Sequence, residues 1–306
     1  MKIGYFADGV WAHKALELIV SEKDLNVEFI TPRYDNQDPI LKAMAKELGI
    51  PFVVHENVNS ESFIKEISNY KAELFVSMSF NQILKSSIIN TPPLGFINCH
   101  AGKLPFYRGR NPLNWVLING EKEFGITIHY VDEGIDTGDI IKQSVFTISE
   151  NDNYGTLLRL ASEECGSVLL SAIRDIKNGQ ADRYKQNDIH PIGSYFCQRV
   201  VGDEFVDFEW SEKRFHDFVR GITLPGPCAR VFISDKEYAI VETKRIEHAT
   251  QYISTVGEIV GRTSEGNVLK VGDSLILLTK VSEIQNGAIT DIVKPSFKLG
   301  TRMRSM

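Results

Sequence analysis

Through the first 180 residues, short apolar runs alternate with longer stretches whose apolar positions recur at helical spacing. Lys2–Ala7, Val27–Thr31, Pro51–Val54, Leu74–Val76 and the run ending at Asn98 read as buried strands, with helices between them at Ala12–Ser21, Pro39–Leu48, Glu61–Tyr70 and Ile83–Ile89. Asn59 and Ser60 stand where the third helix needs an N-cap. This alternation is that of βαβ units, and hence of an α/β, doubly wound, Rossmann-like sheet. Pro112–Ile118 then reads as a short helix, and Phe124–Val131 and Ile140–Ile148 as two more strands. A long helix over Thr156–Lys177 is stopped by Asn178-Gly179.

After residue 204 the pattern changes. Ser211–Val219 reads as a small helix, with Ser211 as its N-cap and Glu212 in the first turn. Arg230–Ile233, Tyr238–Thr243, Thr255–Val260, Asn267–Val271 and Ser274–Leu278 follow as short strands, turned by Ser264-Glu265-Gly266 and Gly272-Asp273. Closely spaced short strands of this kind predict a small β-rich, OB-like barrel. The expected division is an α/β domain at 1–180, a polar connector at 181–204 containing His190-Pro191-Ile192-Gly193, and an OB-like domain at 205–306.

Composition narrows the class. With 306 residues, 42% hydrophobic and 24% charged, the chain can bury a full core, which argues against disorder. It holds no apolar stretch of membrane-spanning length, and Met1-Lys2-Ile3-Gly4-Tyr5-Phe6 runs into a strand without a signal-peptide apolar region, so a cytoplasmic protein with no membrane partner is expected. Cys99, Cys165, Cys197 and Cys228 form no C-x-x-C pair, so neither a disulfide framework nor a metal site is signalled, and Cys99 reads as a small buried strand residue. The net charge is −6; residues 205–306 hold 14 Lys+Arg against 13 Asp+Glu, or +1, which leaves −7 for residues 1–204. Neither half is a basic platform for nucleic acid.

The candidate chemistry lies in Asn98-Cys99-His100 and in Asp136 of Gly134-Ile135-Asp136-Thr137-Gly138. Acyl transfer to an amine needs a donor for an oxyanion and a group that takes a proton from nitrogen. An Asn amide donates without titrating, and such a donor is typically worth ~2.7–4 kcal/mol in the transition state. His100, two positions beyond Asn98, shares its facing if the strand stays regular, and can relay a proton. Asp136 would orient the imidazole and balance its charge. Each residue also has an ordinary structural reading as a turn former or a hydrogen-bonded core group. Their joint occurrence favours catalysis.

Phe96–Asp139, reading FINCHAGKLPFYRGRNPLNWVLINGEKEFGITIHYVDEGIDTGD, resembles the core of the folate-dependent formyltransferases, a family that includes glycinamide ribonucleotide transformylase, methionyl-tRNA formyltransferase and the nucleotide-sugar N-formyltransferases. The resemblance implies catalysis by Asn98, His100 and Asp136, with N10-formyltetrahydrofolate as co-substrate and no metal. It implies that Ser79–Leu84, through Phe80, Ile83 and Leu84, and the backbone of Val131–Asp136, including Val131 and Gly134, line the pterin pocket. Leu104-Pro105 matches a position that tends to be cis in relatives.

Lys103–Trp115 is most similar to the sugar enzymes, particularly the one acting on UDP-4-amino-4-deoxyarabinose, which implies a UDP- or dTDP-linked amino sugar as acceptor and a setting in glycan biosynthesis. Lys103, Tyr107 and Arg110 are the acceptor candidates there: a guanidinium fork suits a diphosphate, and an aromatic ring suits stacking. The alternative is that Arg108 and Arg110 brace the loop itself. Gly9 and Trp11, in the first βα loop, border the site in such a layout. Val206-Asp207-Phe208-Glu209-Trp210 and Leu224-Pro225-Gly226-Pro227 extend the resemblance into the second domain of the methionyl-tRNA and deoxyaminoarabinose enzymes. Methionyl-tRNA formyltransferase is the alternative function, disfavoured by the +1 charge after residue 205. A formyl-folate hydrolase and a non-catalytic binding module are the other readings, and the oligomeric state, a homodimer included, is left open.

Overall fold

A computed structural model describes all 306 residues. In chain order its elements are β1 (Lys2–Ala7), α1 (Gly9–Ser21), β2 (Asn26–Thr31), α2 (Pro39–Leu48), α3 (Glu61–Ser68), β3 (Leu74–Met78), α4 (Ser86–Ile89), β4 (Phe96–His100), β5 (Arg108–Gly109), α5 (Pro112–Ile118), β6 (Glu123–Tyr130) and β7 (Ile140–Thr147). They continue with α6 (Tyr154–Lys177), α7 (Gln186–Ile189), β8 (Tyr195–Phe196), α8 (Glu212–Ile222), β9 (Ala229–Ile233), β10 (Lys236–Arg245), β11 (Ile259–Arg262), β12 (Asn267–Lys270), β13 (Leu275–Gln285) and β14 (Ala288–Ile289). The chain forms two compact units, one of residues 1–109, 124–146 and 159–196, the other of residues 110–123, 147–158 and 197–306.

The first unit holds a six-stranded sheet ordered β2-β1-β3-β4-β6-β7. β1 pairs parallel with β2 and β3, and β3 parallel with β4, as βαβ units require. The doubly wound, Rossmann-like sheet expected from the alternation is present, and β4 and β6, which are antiparallel, make it a mixed one. On one side Phe6, Phe29, Phe63, Phe75 and Phe96 form an aromatic core, with Phe6 and Phe96 ring centres 4.9 Å apart. Gly4 makes room for it, because a Cβ there would lie 2.5 Å from the Phe29 ring and 2.7 Å from that of Phe75. Helix ends follow local chemistry: Asp38 caps α2 ahead of Pro39, and Ser60 caps α3 by accepting from the Phe63 N–H.

Three expected elements differ. Residues 51–54 form no strand, and only Phe52 bridges Ile30. The helix expected over 83–89 shrinks to Ser86–Ile89, because Asn59, rather than capping α3, donates to the Ile83 carbonyl and accepts from the N–H of Lys85, whose backbone is extended, and so keeps 83–85 out of the helix. β4 continues past Asn98 to His100, whose partner on β6 is Thr127.

The second unit is built on an antiparallel sheet ordered β11-β12-β13-β10-β9. Arg302 bridges Glu258 beside β11, and Arg304 bridges Phe232 of β9, so the C-terminal segment links the two edges. Phe215, Val219 and Ile222 of α8 fill the interior with Val231, Ile240, Leu269 and Ile276. α5 packs on α8, where the buried Asn114 amide donates to the Gly221 carbonyl. β13 is longer than expected because β10 pairs along most of its length.

Candidate active site

The site is built on β4 and β6 of the first unit. Their register sets Asn98 opposite His129 and His100 opposite Thr127, and a period of two puts all four on one face. His100 and His129 are 8% and 2% exposed. The His100 Nε2–H donates to the Tyr107 carbonyl at 2.7 Å, which leaves Nδ1 turned to Asp136 Oδ2 at 3.6 Å. His129 lies on the other side of the same carboxylate, its Nε2 3.4 Å from Oδ1. The Asn98 Nδ2 is 3.2 Å from His129 Nε2 and 3.5 Å from Asp136 Oδ1.

Asp136 reaches this face from the loop between β6 and β7. Asp132 organises that loop by accepting from the Gly134 N–H and the Thr137 hydroxyl, and Gly134 has no room for a side chain, since a Cβ would fall 1.9 Å from Thr137 Oγ1. Asp136 adopts φ +54, a left-handed conformation that Asp tolerates better than most residues. The Gln186 amide compensates by donating to the carbonyls of Asp136 and Gly138, both at 2.8 Å. The Gly109 N–H donates to Asp136 Oδ2 at 2.9 Å. Burial alone would raise this carboxyl; the charge of His100, the bonding of the His129 ring and the Gly109 N–H outweigh it and hold the group far below the usual carboxylate range. Asp136 is therefore ionised at any physiological pH.

The 101–109 turn is braced on several sides. Thr127 Oγ1 donates to Gly102 O and accepts from Gln143, which also bonds the Leu104 carbonyl ahead of a cis Leu104–Pro105 bond. The Ser194 hydroxyl accepts from the Tyr107 N–H, and the Tyr107 ring stacks on Phe196 at 5.0 Å. Arg108 donates twice to Gln186 Oε1 and once to the Ile192 carbonyl. Gln186 thus ties the Arg108 strand to the Asp136 loop. A buried carboxylate between two imidazoles, with an amide beside it, suits transfer of a group to a nucleophile that must shed a proton.

Comparison with known proteins fits this geometry. A formyl transferase model matches residues 12–173, and a formyl transferase C-terminal domain model matches residues 201–292. The chain belongs to the formyl transferase family. Methionyl-tRNA formyltransferase of Halothermothrix orenii is 30% identical over 317 residues, spanning 99% of this chain and 98% of the relative. That of Syntrophus aciditrophicus is 33% identical over 245 residues, spanning 79% and 76%. Among solved structures, the N-formyltransferase from Helicobacter canadensis, in complex with folinic acid and dTDP-3-aminofucose, superimposes with a TM-score of 0.67 at 21% identity, covering 91% of this chain and 99% of its own. WlaRD, a sugar 3N-formyl transferase solved with dTDP and 5-N-formyl-THF, gives 0.65 at 22%, covering 91% and 97%. At these identities the structural likeness speaks for the fold.

Within this formyl transferase, the three residues read from sequence as catalytic lie together. Phe80, Leu84 and Val131 flank the Phe6 core, whereas the Ile83 side chain is 74% exposed and apart from them. Gly9, at φ +78, donates its N–H to Asp38, and Trp11 is half-buried on α1. Lys103 is half-buried in the braced turn, Tyr107 acts through its backbone while its ring is stacked, and Arg110 is exposed at the start of the second unit. Arg108 is the arginine that braces the loop. No group of three or more His, Cys, Asp and Glu side chains is arranged to hold a metal ion.

His129, Gln186 and the Tyr107 carbonyl escape sequence reasoning. The alternation of β6 could have flagged His129, because a His in a buried strand needs polar partners. Gln186 lies in a segment whose sequence reads only as linker, and a main-chain carbonyl carries no residue-type signal.

Proposed function

We propose that this formyl transferase moves a formyl group from N10-formyltetrahydrofolate to the amine of a nucleotide-linked amino sugar carried on UDP or dTDP. Formyl transfer rests on one observation, the grouping of Asn98 and His100 around the largely buried carboxylate of Asp136. Phe80, Leu84 and Val131 offer the apolar wall a pterin needs, and the 131–136 backbone offers polar groups beside it. The folate supplies the formyl carbon. Attack by the amine places negative charge on the formyl oxygen, to which the Asn98 amide donates, and leaves excess proton charge on nitrogen. His100 accepts that proton at Nδ1, its Nε2–H being committed to the Tyr107 carbonyl, and the ionised Asp136 balances the imidazolium. As the bond between the formyl carbon and its first nitrogen breaks, His100 returns the proton to the departing nitrogen, giving an N-formyl sugar and tetrahydrofolate.

The sugar acceptor is supported by the Lys103–Trp115 sequence, by the +1 balance of residues 205–306, and by structural neighbours solved with dTDP or dTDP-3-aminofucose. Gly9, Trp11, Lys103 and Arg110 are its candidate contacts. The proposal extends to a cytoplasmic setting within glycan biosynthesis. Methionyl-tRNA formylation is the second reading, favoured by the names of the sequence relatives. Incubation with the formyl donor and, separately, UDP-amino sugars, dTDP-amino sugars and methionyl-tRNA decides between them by mass spectrometry. Formylation of a sugar supports the proposal, and formylation of the tRNA alone overturns it. Rapid formate release without any amine identifies a hydrolase.

A further inference from the structure

We propose that His129 is a positioning residue that holds the Asn98 amide and the Asp136 carboxylate in place through its Nε2, which faces both. The proposal rests on the formyl-transfer reading above. Its first support is the strand register. Asn98 and His129 are direct cross-strand partners, and the 3.2 Å contact between Asn98 Nδ2 and His129 Nε2 follows from that pairing.

The second support is the ring's hydrogen bonding. His129 Nδ1 lies 2.8 Å from the Tyr130 carbonyl, which can only accept, so Nδ1 carries a hydrogen in every state of the ring. Nε2 is then the atom that can change. In the neutral ring it accepts from Asn98, whose Nδ2 can only donate, and so fixes the amide plane. In the imidazolium it donates to Asp136 Oδ1, 3.4 Å away, and Asn98 is released. The titratable groups facing the ring are Asp136, from the loop after β6, and, across that carboxylate, His100 of β4. The two imidazoles are mirror cases. Each is anchored through one nitrogen to a main-chain carbonyl and turns the other on Asp136. One carboxylate balances one imidazolium, so while His100 carries the proton taken from the amine His129 stays neutral, accepts from Asn98 and fixes the plane of the amide whose second N–H can meet the reacting oxygen.

Two measurements test this. His129→Ala is expected to lower kcat about 10- to 100-fold while KM for each substrate stays within about twofold, the signature of an interaction that matters beyond substrate binding. An unchanged kcat, or a loss carried wholly by KM, overturns the proposal. His129→Gln, whose amide can accept from Asn98 or donate to Asp136, is expected to recover part of the loss and serves where the alanine variant does not fold. Nitrogen-15 NMR of the ring in the wild-type protein is expected to show Nδ1 protonated at every pH; a neutral ring protonated at Nε2 alone overturns the proposal. The NMR result needs no turnover, so it stands apart from the formyl-transfer reading, which fails if the wild-type protein formylates no amine.

Discussion

Gly102 lies under the hydrogen bond that fixes His100. A Cβ at this position would stand 2.5 Å from His100 Nε2 and 2.6 Å from the Tyr107 carbonyl oxygen, on either side of their 2.7 Å bond. Ordinary carbon contacts lie near ~3.5–4.0 Å, so Gly102→Ala must move both groups by about 1 Å. The backbone of Gly102 is outside the left-handed region, so alanine meets no conformational obstacle and the effect is steric. Overpacking costs ~1–3 kcal/mol, and leaving a buried polar group unpaired costs a further ~1–3 kcal/mol. The expected destabilisation is therefore about 2–6 kcal/mol, a fall of several degrees or more in Tm by differential scanning calorimetry. Displacement of a catalytic group by about 1 Å costs roughly 10²-fold in rate, and the loss should appear in kcat. Assay of formyl transfer per folded molecule, with circular dichroism as the fold control, separates the two effects. A variant with wild-type Tm and kcat within about threefold would refute the claim that the Tyr107 carbonyl anchors His100.

Other perturbations probe the remaining supports. Because the folded Asp136 carboxyl titrates far below its unfolded counterpart, its ionised form stabilises the protein above about pH 4, and that contribution is lost as pH falls through the folded value. Asp136→Asn should lower stability by about 2 kcal/mol at neutral pH, with the gap from wild type closing toward pH 3; a gap that does not change with pH contradicts the assignment. Gln186→Leu removes the donor to two carbonyls and the acceptor for Arg108, so kcat/KM should drop at least about tenfold and stability by about 2–4 kcal/mol in urea titration, and wild-type behaviour would show that the tie is idle. Ile83→Ser should leave stability within about 0.5 kcal/mol, whereas Phe80→Ala, which takes a ring off the Phe6 core, should cost more than about 1 kcal/mol. If both also raise KM for the formyl donor, both face the pterin; an effect from Phe80 alone confines the wall to Phe80, Leu84 and Val131.

By itself, the sequence determined the βαβ order of the first unit, the helix of the second and the family, and it singled out Asn98, His100 and Asp136 as the candidate site. Those features are local. Apolar period, caps such as Ser60 and Ser211, and residue types capable of acid–base work are written along the chain. Only the tertiary structure decided that β6 runs antiparallel to β4 and so sets His129 across from Asn98, because a strand's direction depends on which edge is left to pair. Only the fold brought a carbonyl from residue 107, an amide from residue 109 and a glutamine from residue 186 to bear on two site residues. Backbone groups look alike in every residue, and a glutamine 50 positions from Asp136 has no local pattern to betray its partner. Three polar letters were legible; the carboxylate held between two imidazoles was not, since its geometry comes from strand register and loop closure.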